Sequence, residues 1–297
     1  MEIKDYNNET KVEGQTNRQF IWKCDGNDRR IMPAEIWEKG LNILSRPEEM
    51  KDVLLKWREI ENRKEIVLPM IQNLEGAALG ASVIKRRDFW TTGEYPFSSL
   101  EEINPDDFDI MNDIRIQAVL EVIKLLKGEI TIFEMEAPFS VLSALINPME
   151  LYFSMQTQSQ KLNDILIKIA EEEIKYLEAV VGVGCRIISL AEPTGTIDMV
   201  GEKCFRECSG RAVSFLLKES QRFLSQSVIH LCGKLSHSML TLDMATVRDY
   251  PIESEDYLEN LLEAADNPEI YFIGQRCIHQ KRNTTGKIQV LNYHIID

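Results

Sequence analysis

The sequence predicts an α/β protein: a (β/α)8 TIM barrel preceded by an N-terminal helical extension. Three observations carry this. From about residue 65 onward, apolar runs of strand length alternate with segments of helical period, the mark of βαβ units and a parallel sheet. Eight such strands can be counted, and eight in a 297-residue chain favour a closed barrel over an open sheet. Residues 1–64 carry polar and helical signals instead, so the extension is placed at 1–64 and the barrel at 65–297.

The elements follow in order. "MPAEIWEKGLNILSRPEEMKDVLLKWREIENRK" has apolar residues near helical spacing and a break at Pro47. "EIVLPM" (65–70) is an apolar run ended by proline, and "ASVIKR" (81–86) is the second strand. "DIRIQAVLEVIKLLKG" is a helix with Ile116, Val119, Leu120, Ile123 and Leu126 on one face, and Gly128 suits its C-terminal cap. "EITIFEMEAP" is the third strand. The long helix "KLNDILIKIAEEEIKYLEAVVGVG" follows, with the acids at 171–173 read as a solvated face, and then the fourth strand, "CRIISLAEP". After the helix "RAVSFLLKESQRFL", "SVIHLCG" is the fifth strand and "TVRDYPIE" (246–253) a weaker sixth. The helix "SEDYLENLLEAADN" precedes the last two strands, "EIYFIGQRC" and "KIQVLNYHI".

Composition narrows the function. Formal charge is −14, which argues against sequence-blind nucleic-acid binding and against an anionic membrane surface. The first residues, "MEIKDYNNETKVEGQ", lack the apolar core of a signal peptide, and no apolar stretch approaches membrane-spanning length. Six scattered cysteines then point to reduced thiols in the cytoplasm, with metal or catalytic use favoured over disulfides. There is no Gly-rich phosphate fingerprint: "VGVG" precedes a strand rather than following one.

In a parallel barrel the chemistry sits at the C-terminal ends of the strands. Those ends carry Glu75 beyond strand one, Glu134 or Glu136 on strand three, Glu192 on strand four, and His230 and Cys232 on strand five. Glu253, Cys277 and His294 stand at the last three. Residues two apart on a strand point to one side, so His230 and Cys232 can aim at one point while Leu231 packs the other way. Imidazole nitrogen and thiolate sulfur are the ligands zinc prefers, and Cys277 and Glu253 are available to complete the set. The plainer alternative is a core histidine beside a small buried thiol. Cys204 and Cys208, four apart, share one helical face.

"LPMIQNLEGAALGAS", "EAPFSVLSALINPMELYF", "ISLAEPTG", "GEKCFRE" and above all "VIHLCGKLS" resemble the uroporphyrinogen decarboxylase superfamily. Within it they resemble the zinc-dependent, corrinoid-linked methyltransferases of the methylcobamide:coenzyme M type. The resemblance covers roughly residues 65–295 and implies a (β/α)8 barrel with a His/Cys/Cys zinc at its C-terminal mouth. His230 and Cys232 match the first two ligands, and Glu253 falls where that family has an acidic residue near the metal. The family's third ligand lies on the last strand, where this chain reads "LNYHI"; Cys277, one strand earlier, is the substitute, with His279 and His294 as alternatives.

The resemblance implies zinc acting as a Lewis acid, with a methyl group moved between a corrinoid and a small thiol or methylated substrate. Glu253 and Glu192 are then the candidate catalytic acids, Glu253 as an exchangeable fourth ligand, while Glu75 and Glu136 face the bound cofactor. No "D-x-H-x-x-G" segment is present, so the cobalamin is expected on a partner corrinoid protein. A decarboxylase is the weaker reading, because the family's arginine-rich loop after strand one is here "IQNLEGAALG". A non-catalytic barrel that binds ligand is the third.

Overall fold

The computed structural model describes residues 32–86 and 89–293. Nine strands are present among them: β1 (Ile66–Leu68), β2 (Val83–Arg86), β3 (Phe89–Thr92), β4 (Thr131–Glu136), β5 (Ile187–Ala191), β6 (Val228–Cys232), β7 (Ala245–Pro251), β8 (Phe272–Arg276) and β9 (Lys287–Tyr293). The helices are α1 (Ala34–Trp37), α2 (Pro47–Glu61), α3 (Leu74–Ala78), α4 (Ile114–Leu125), α5 (Pro138–Leu145), α6 (Pro148–Thr157), α7 (Ser159–Gly182), α8 (Ile197–Cys204), α9 (Gly210–Ser220), α10 (Gly233–Thr241) and α11 (Tyr257–Asp266).

The fold class is the one expected: α/β of the TIM-barrel type, with a mostly parallel sheet flanked by helices. The strand order is β1-β4-β5-β6-β8-β9-β7, and β1, β4, β5, β6 and β8 form the parallel part. Two details differ from eight parallel strands. The second expected strand leaves this sheet and pairs antiparallel with β3 as a separate hairpin. Only residues 87 and 88 link the two, and a parallel return needs a dozen residues or more. For the same reason β9 runs antiparallel to β8 after a link of ten residues, 277–286, and also pairs antiparallel with β7. β1 and β7 therefore end the pairing order, and among the described residues no ladder joins them.

The helices α2, α4, α7, α9 and α10 bury one face of the sheet. Leu68, Phe133, Ile188, Leu190, Ile229 and Leu231 lie in that core with Val119, Ile123, Tyr176, Leu177, Val213 and Leu217. α2 belongs to it as well, through Met50, Val53, Leu54 and Trp57, so residues 47–61 share the barrel core rather than building one of their own. α11 covers the opposite face: Tyr257, Leu261 and Ala264 pack on Ile132, Ile187, Val228 and Ile273. An Asp256 cap on the Leu258 and Glu259 amides starts that helix, and Lys64, just before β1, is held by Asp256 at 2.6 Å and Glu259 at 3.0 Å. Among the described residues no helix is long and apolar enough to cross a membrane.

The register sorts the side chains on the α11 face into rows. Ile132, Ile187 and Val228 form an apolar row. One step toward the C-terminal ends, Glu134, Ser189 and His230 lie abreast, with Ile273 beyond. At the ends themselves Glu136 is opposite Ala191, and Cys232 is opposite Arg276. Burial thus gives way to polar chemistry within two residues of each strand.

Candidate functional site

His230 is fully buried, and its Nε2 lies 2.9 Å from the Tyr257 hydroxyl, with the two rings edge to face. Among the described residues its Nδ1 has no hydrogen-bond partner. Burial holds the imidazole pKa down to about 3, so the ring is neutral at any working pH. Beside it, His279 Nε2 is 3.1 Å from Glu134 Oε1, which ties the 277–283 segment back over the sheet to β4.

A bulge places the neighbouring strand. Between His230–Ile273 and Cys232–Arg276, β8 uses three steps where β6 uses two. Gln275 sits at the irregularity with φ 71°, a left-handed conformation that costs a non-glycine residue energy. Its amide donates to Ser236 Oγ at 2.8 Å, and that hydroxyl donates to the Cys232 carbonyl, so α10 holds the bulge in place. The result is that Arg276 faces Cys232, with its guanidinium 6.0 Å from the Tyr257 ring centroid, and Cys277 follows at once.

A second group of polar side chains surrounds the ends of β4 and β5. Glu75, Glu173 and Glu192 are buried, and Glu136 is partly so. Asn73, in a left-handed conformation at φ 56°, caps the Gly76 amide with Oδ1. Its Nδ2 donates to Glu136 Oε2 and to the Ser140 carbonyl, both at 2.8 Å. Desolvation pushes Glu75 up to about 8 and Glu136 up to about 7, with the mutual proximity of the two adding to the rise at Glu75. Glu173 on α7 is raised well above the usual carboxylate range by burial and by Glu75, Glu192 and Glu136. Among the described residues the carboxyl groups of Glu75 and Glu173, and the Tyr176 hydroxyl, lack a hydrogen-bond partner. Of the acids at 171–173, Glu171 is on the expected solvated face, but Glu173 is not. Glu172 is buried too, bonded to Lys175 and to the Ile110 amide, because α7 is packed on more than one side.

Glu192 also departs from expectation. It has no exposed surface, and its carboxylate accepts from the Phe139 and Ser140 amides at the start of α5, from Ser140 Oγ, and from Gly195 N at 3.0 Å. An anion at a helix N-terminus is favourable there. Desolvation nevertheless raises it to about 8. Glu192 clamps the turn after β5 onto α5.

Glu253 is exposed and follows β7, which has β9 and β8 between it and β6. The side-by-side placement with Cys232 is absent, because β9 inserts between β8 and β7. His294 lies outside the described residues. Among the described residues no three His, Cys, Asp or Glu side chains are grouped so as to hold a metal ion. In donor chemistry the remaining set still suits zinc. It comprises one neutral imidazole with an orphaned buried Nδ1, and two thiols at the ends of adjacent strands.

The comparisons with known proteins agree with the motifs. The model of the family "Uroporphyrinogen decarboxylase (URO-D)" matches residues 65–275. The chain belongs to the uroporphyrinogen decarboxylase family. Over 244 residues it is 27% identical to the methylcobamide:CoM methyltransferase MtaA of Methanosarcina barkeri (strain Fusaro / DSM 804), covering 77% of this chain and 67% of that protein. A second MtaA sequence from Methanosarcina barkeri matches to the same extent. A methyltransferase from Methanosarcina mazei matches in structure, with a TM-score of 0.57 and 22% identity over 67% of this chain. The chain spans 60% of that protein, and at this identity the likeness is one of fold.

Seen within the family, the H-x-C-G segment is the stretch of β6 that enters α10. Residues that the pattern did not reveal are Tyr257, Arg276, Asn73 and Glu173. Tyr257, Arg276 and Asn73 act through contacts between distant segments, and Glu173 is buried by the packing of α7, none of which local spacing announces. A signal was available for Arg276 alone: it is the cation adjoining Cys277.

Proposed function

We propose that this chain is a cytoplasmic methyltransferase that moves a methyl group between a partner's corrinoid and a small thiol or methylated substrate. The observation that carries the reading is the pairing at the strand ends: His230 and Cys232 on one face of β6, with Cys277 directly after the residue that faces Cys232. The family match and the likeness to methylcobamide:CoM methyltransferases support it.

His230, Cys232 and Cys277 would hold the zinc. The bound ion would supply Lewis acidity, favouring a substrate thiol as its thiolate or polarising a methyl donor. The protein's own residues do the rest. Tyr257 fixes the ring orientation of His230 by engaging Nε2, so that Nδ1 is the nitrogen left for a ligand. Arg276, opposite Cys232 in the register, directs its guanidinium to Gln289 Oε1 and Thr285 Oγ1 and so ties the end of β8 to β9 and the turn before it. Glu136, partly exposed at the end of β4 and steadied by Asn73, can take up or give a proton at the mouth, since its pKa lies near neutrality. Glu192 keeps the β5 turn in place.

Metal content and methyl transfer test the proposal together. The purified protein should hold about one zinc per chain, and His230→Ala and Cys232→Ser should each lose it. Demethylation of methylcobalamin, followed by its absorbance against a panel of small thiols, should be measurable in the zinc-loaded protein and absent in both variants. Stoichiometric zinc retained by both variants overturns the ligand set, and failure both of methylcobalamin demethylation by every thiol and of reduced-cobalamin methylation by every methyl donor overturns the activity.

A further inference from the structure

Glu192 stands at the inner end of a continuous chain of hydroxyl groups. Its carboxylate accepts from Ser140 Oγ, which lies 2.9 Å from Thr194 Oγ1, and either of these two oxygens can be the donor. Thr194 Oγ1 donates to Ser143 Oγ at 3.2 Å, and Ser143 Oγ donates to the Ser140 carbonyl at 2.8 Å. Glu192 and Ser140 have no exposed surface, whereas Thr194 and Ser143 are partly exposed. The chain therefore leads from a sealed carboxyl group out to hydroxyls that a ligand can reach. Its outer end lies among the C-terminal ends of the strands: Ser143 is on α5, which follows β4, and Thr194 is in the turn after β5. At the end of that turn the Ile197 amide donates to Ser238 Oγ at 3.1 Å, on α10, the helix that begins directly after Cys232.

We propose that Ser140, Thr194 and Ser143 relay a proton between Glu192, which stores it, and the leaving group of a methyl donor. The inference rests on the methyl transfer proposed above. When the methyl group leaves a donor for the partner's corrinoid, its bond to the leaving group X breaks with the electron pair on X. The reduced cobalt supplies the pair for the new bond, and X is left one proton short. Ser143 gives X its proton, Thr194 replaces that of Ser143, Ser140 replaces that of Thr194, and Glu192 replaces that of Ser140. X departs as HX, and Glu192 is left as the carboxylate. Each hydroxyl loses one proton and gains one, so only the store changes charge. With a thiol as acceptor the same steps run in reverse, and the proton of the S–H group travels inward.

Hydroxyls suit this task because each both donates and accepts. Glu136 is not on the path: its link to Ser140 runs through Asn73 Nδ2, and an amide keeps its hydrogens. The clamp on the β5 turn is made with the Phe139, Ser140 and Gly195 amides, so the Thr194 and Ser143 hydroxyls lie beyond what it requires. Burial keeps the store loaded, since desolvation raises Glu192 to about 8, and the acids that face it, Glu136 on β4 and Glu173 on α7, act in the same direction.

Two measurements on the full-length protein test the relay, and the first needs no methyl transfer. Infrared spectra follow the protonated carboxyl band of Glu192, assigned by its loss in Glu192→Gln or, if that variant does not fold, by its shift in Ser140→Ala. In deuterium oxide the band should exchange more slowly in Thr194→Val, which keeps the side-chain shape but cuts the chain, than in wild type or in Thr194→Ser, which keeps the hydroxyl. The second measurement follows methylation of reduced cobalamin by a panel of methyl donors. Thr194→Val should retain zinc and donor affinity, slow turnover by about 10- to 100-fold, and regain rate with imidazole, a small base that carries protons from solution. A structural loss would not respond to imidazole. A protonated band absent from the wild type at every pH, or equally fast exchange in Thr194→Val, overturns the relay. So does turnover of Thr194→Val at the wild-type rate, or slowed turnover that imidazole does not restore. No methyl transfer by the wild type would instead overturn the proposed function, leaving the infrared result to decide the proton path.

Discussion

The Tyr257 hydroxyl lies 2.9 Å from His230 Nε2, and neither residue has any exposed surface. The tyrosine begins α11, the helix that covers the sheet face on which His230 stands. One hydrogen bond therefore fixes which nitrogen of a buried imidazole is left for another partner. Among the described residues Nδ1 has no hydrogen-bond partner. A buried polar atom left unpaired costs about 1–3 kcal/mol, so its persistence calls for a function.

Tyr257→Phe should leave the fold intact, because the ring and its packing remain. It should weaken zinc binding by about 10- to 100-fold, the usual cost of losing an outer partner of a histidine ligand. Competition with a chromophoric chelator measures this, and nitrogen chemical shifts of the His230 ring report the tautomer. If wild-type protein binds zinc while the variant shows the same affinity and the same tautomer, Tyr257 has no positioning role.

Cys277→Ser should reduce zinc affinity as His230→Ala does, whereas Glu253→Gln should change nothing beyond about half a kcal/mol of stability. Glu253 is exposed and two strands removed from β8 by the insertion of β9. Metal titration of the two variants side by side checks the contrast; a large loss with Glu253→Gln would return it to the ligand set.

These two predictions separate what the sequence discloses from what it hides. The H-x-C spacing on a short apolar strand was readable, because alternation along a strand is a local property. The parallel run β1, β4, β5, β6 was readable too, since helices of sufficient length separate those strands. Glu253 was misplaced because its position depends on where β9 pairs. The clue lay in the ten-residue link 277–286, which is too short for a parallel return. The buried acids at 172 and 173 were misread because α7 packs on several sides, whereas a one-face reading of a helix assumes a single buried stripe. Tyr257 was not readable at all: nothing in "SEDYLENLLEAA" indicates that its first aromatic ring points at a histidine 27 residues earlier.

Gly195→Ala should destabilise the protein by about 1–3 kcal/mol, the usual cost of overpacking. An added Cβ would meet Ser209 Oγ at 2.5 Å, Phe139 Cβ at 2.8 Å and the Glu192 carboxyl carbon at 2.9 Å, closer than such contacts occur. Urea unfolding measures the loss. Pairing the change with Ser209→Gly should recover part of it, since one of the three obstacles is then removed.

Glu75→Gln should stabilise the protein, increasingly so as the pH rises. Glu75 is 1% exposed, and desolvation raises its pKa to about 8 from an ordinary value of 4.5. Between those values the folded state holds a proton that the unfolded state has released. The stability contributed by the neutral buried acid is therefore fully present below about pH 4.5 and is lost as the pH climbs toward 8. Glutamine keeps the shape and carries no charge to release, so that loss disappears in the variant. Relative to wild type it should gain on the order of 3 kcal/mol between pH 5 and pH 8. The sign distinguishes this acid from His230, whose depressed pKa makes the folded state weaker as the pH falls from 6.5 toward 3. Urea midpoints for both proteins at pH 5, 6, 7 and 8 give the comparison. Parallel curves, with no widening gap at high pH, would show that Glu75 is ionised in the folded protein and that its buried carboxylate has found a partner, such as a water or cation, among its neighbours.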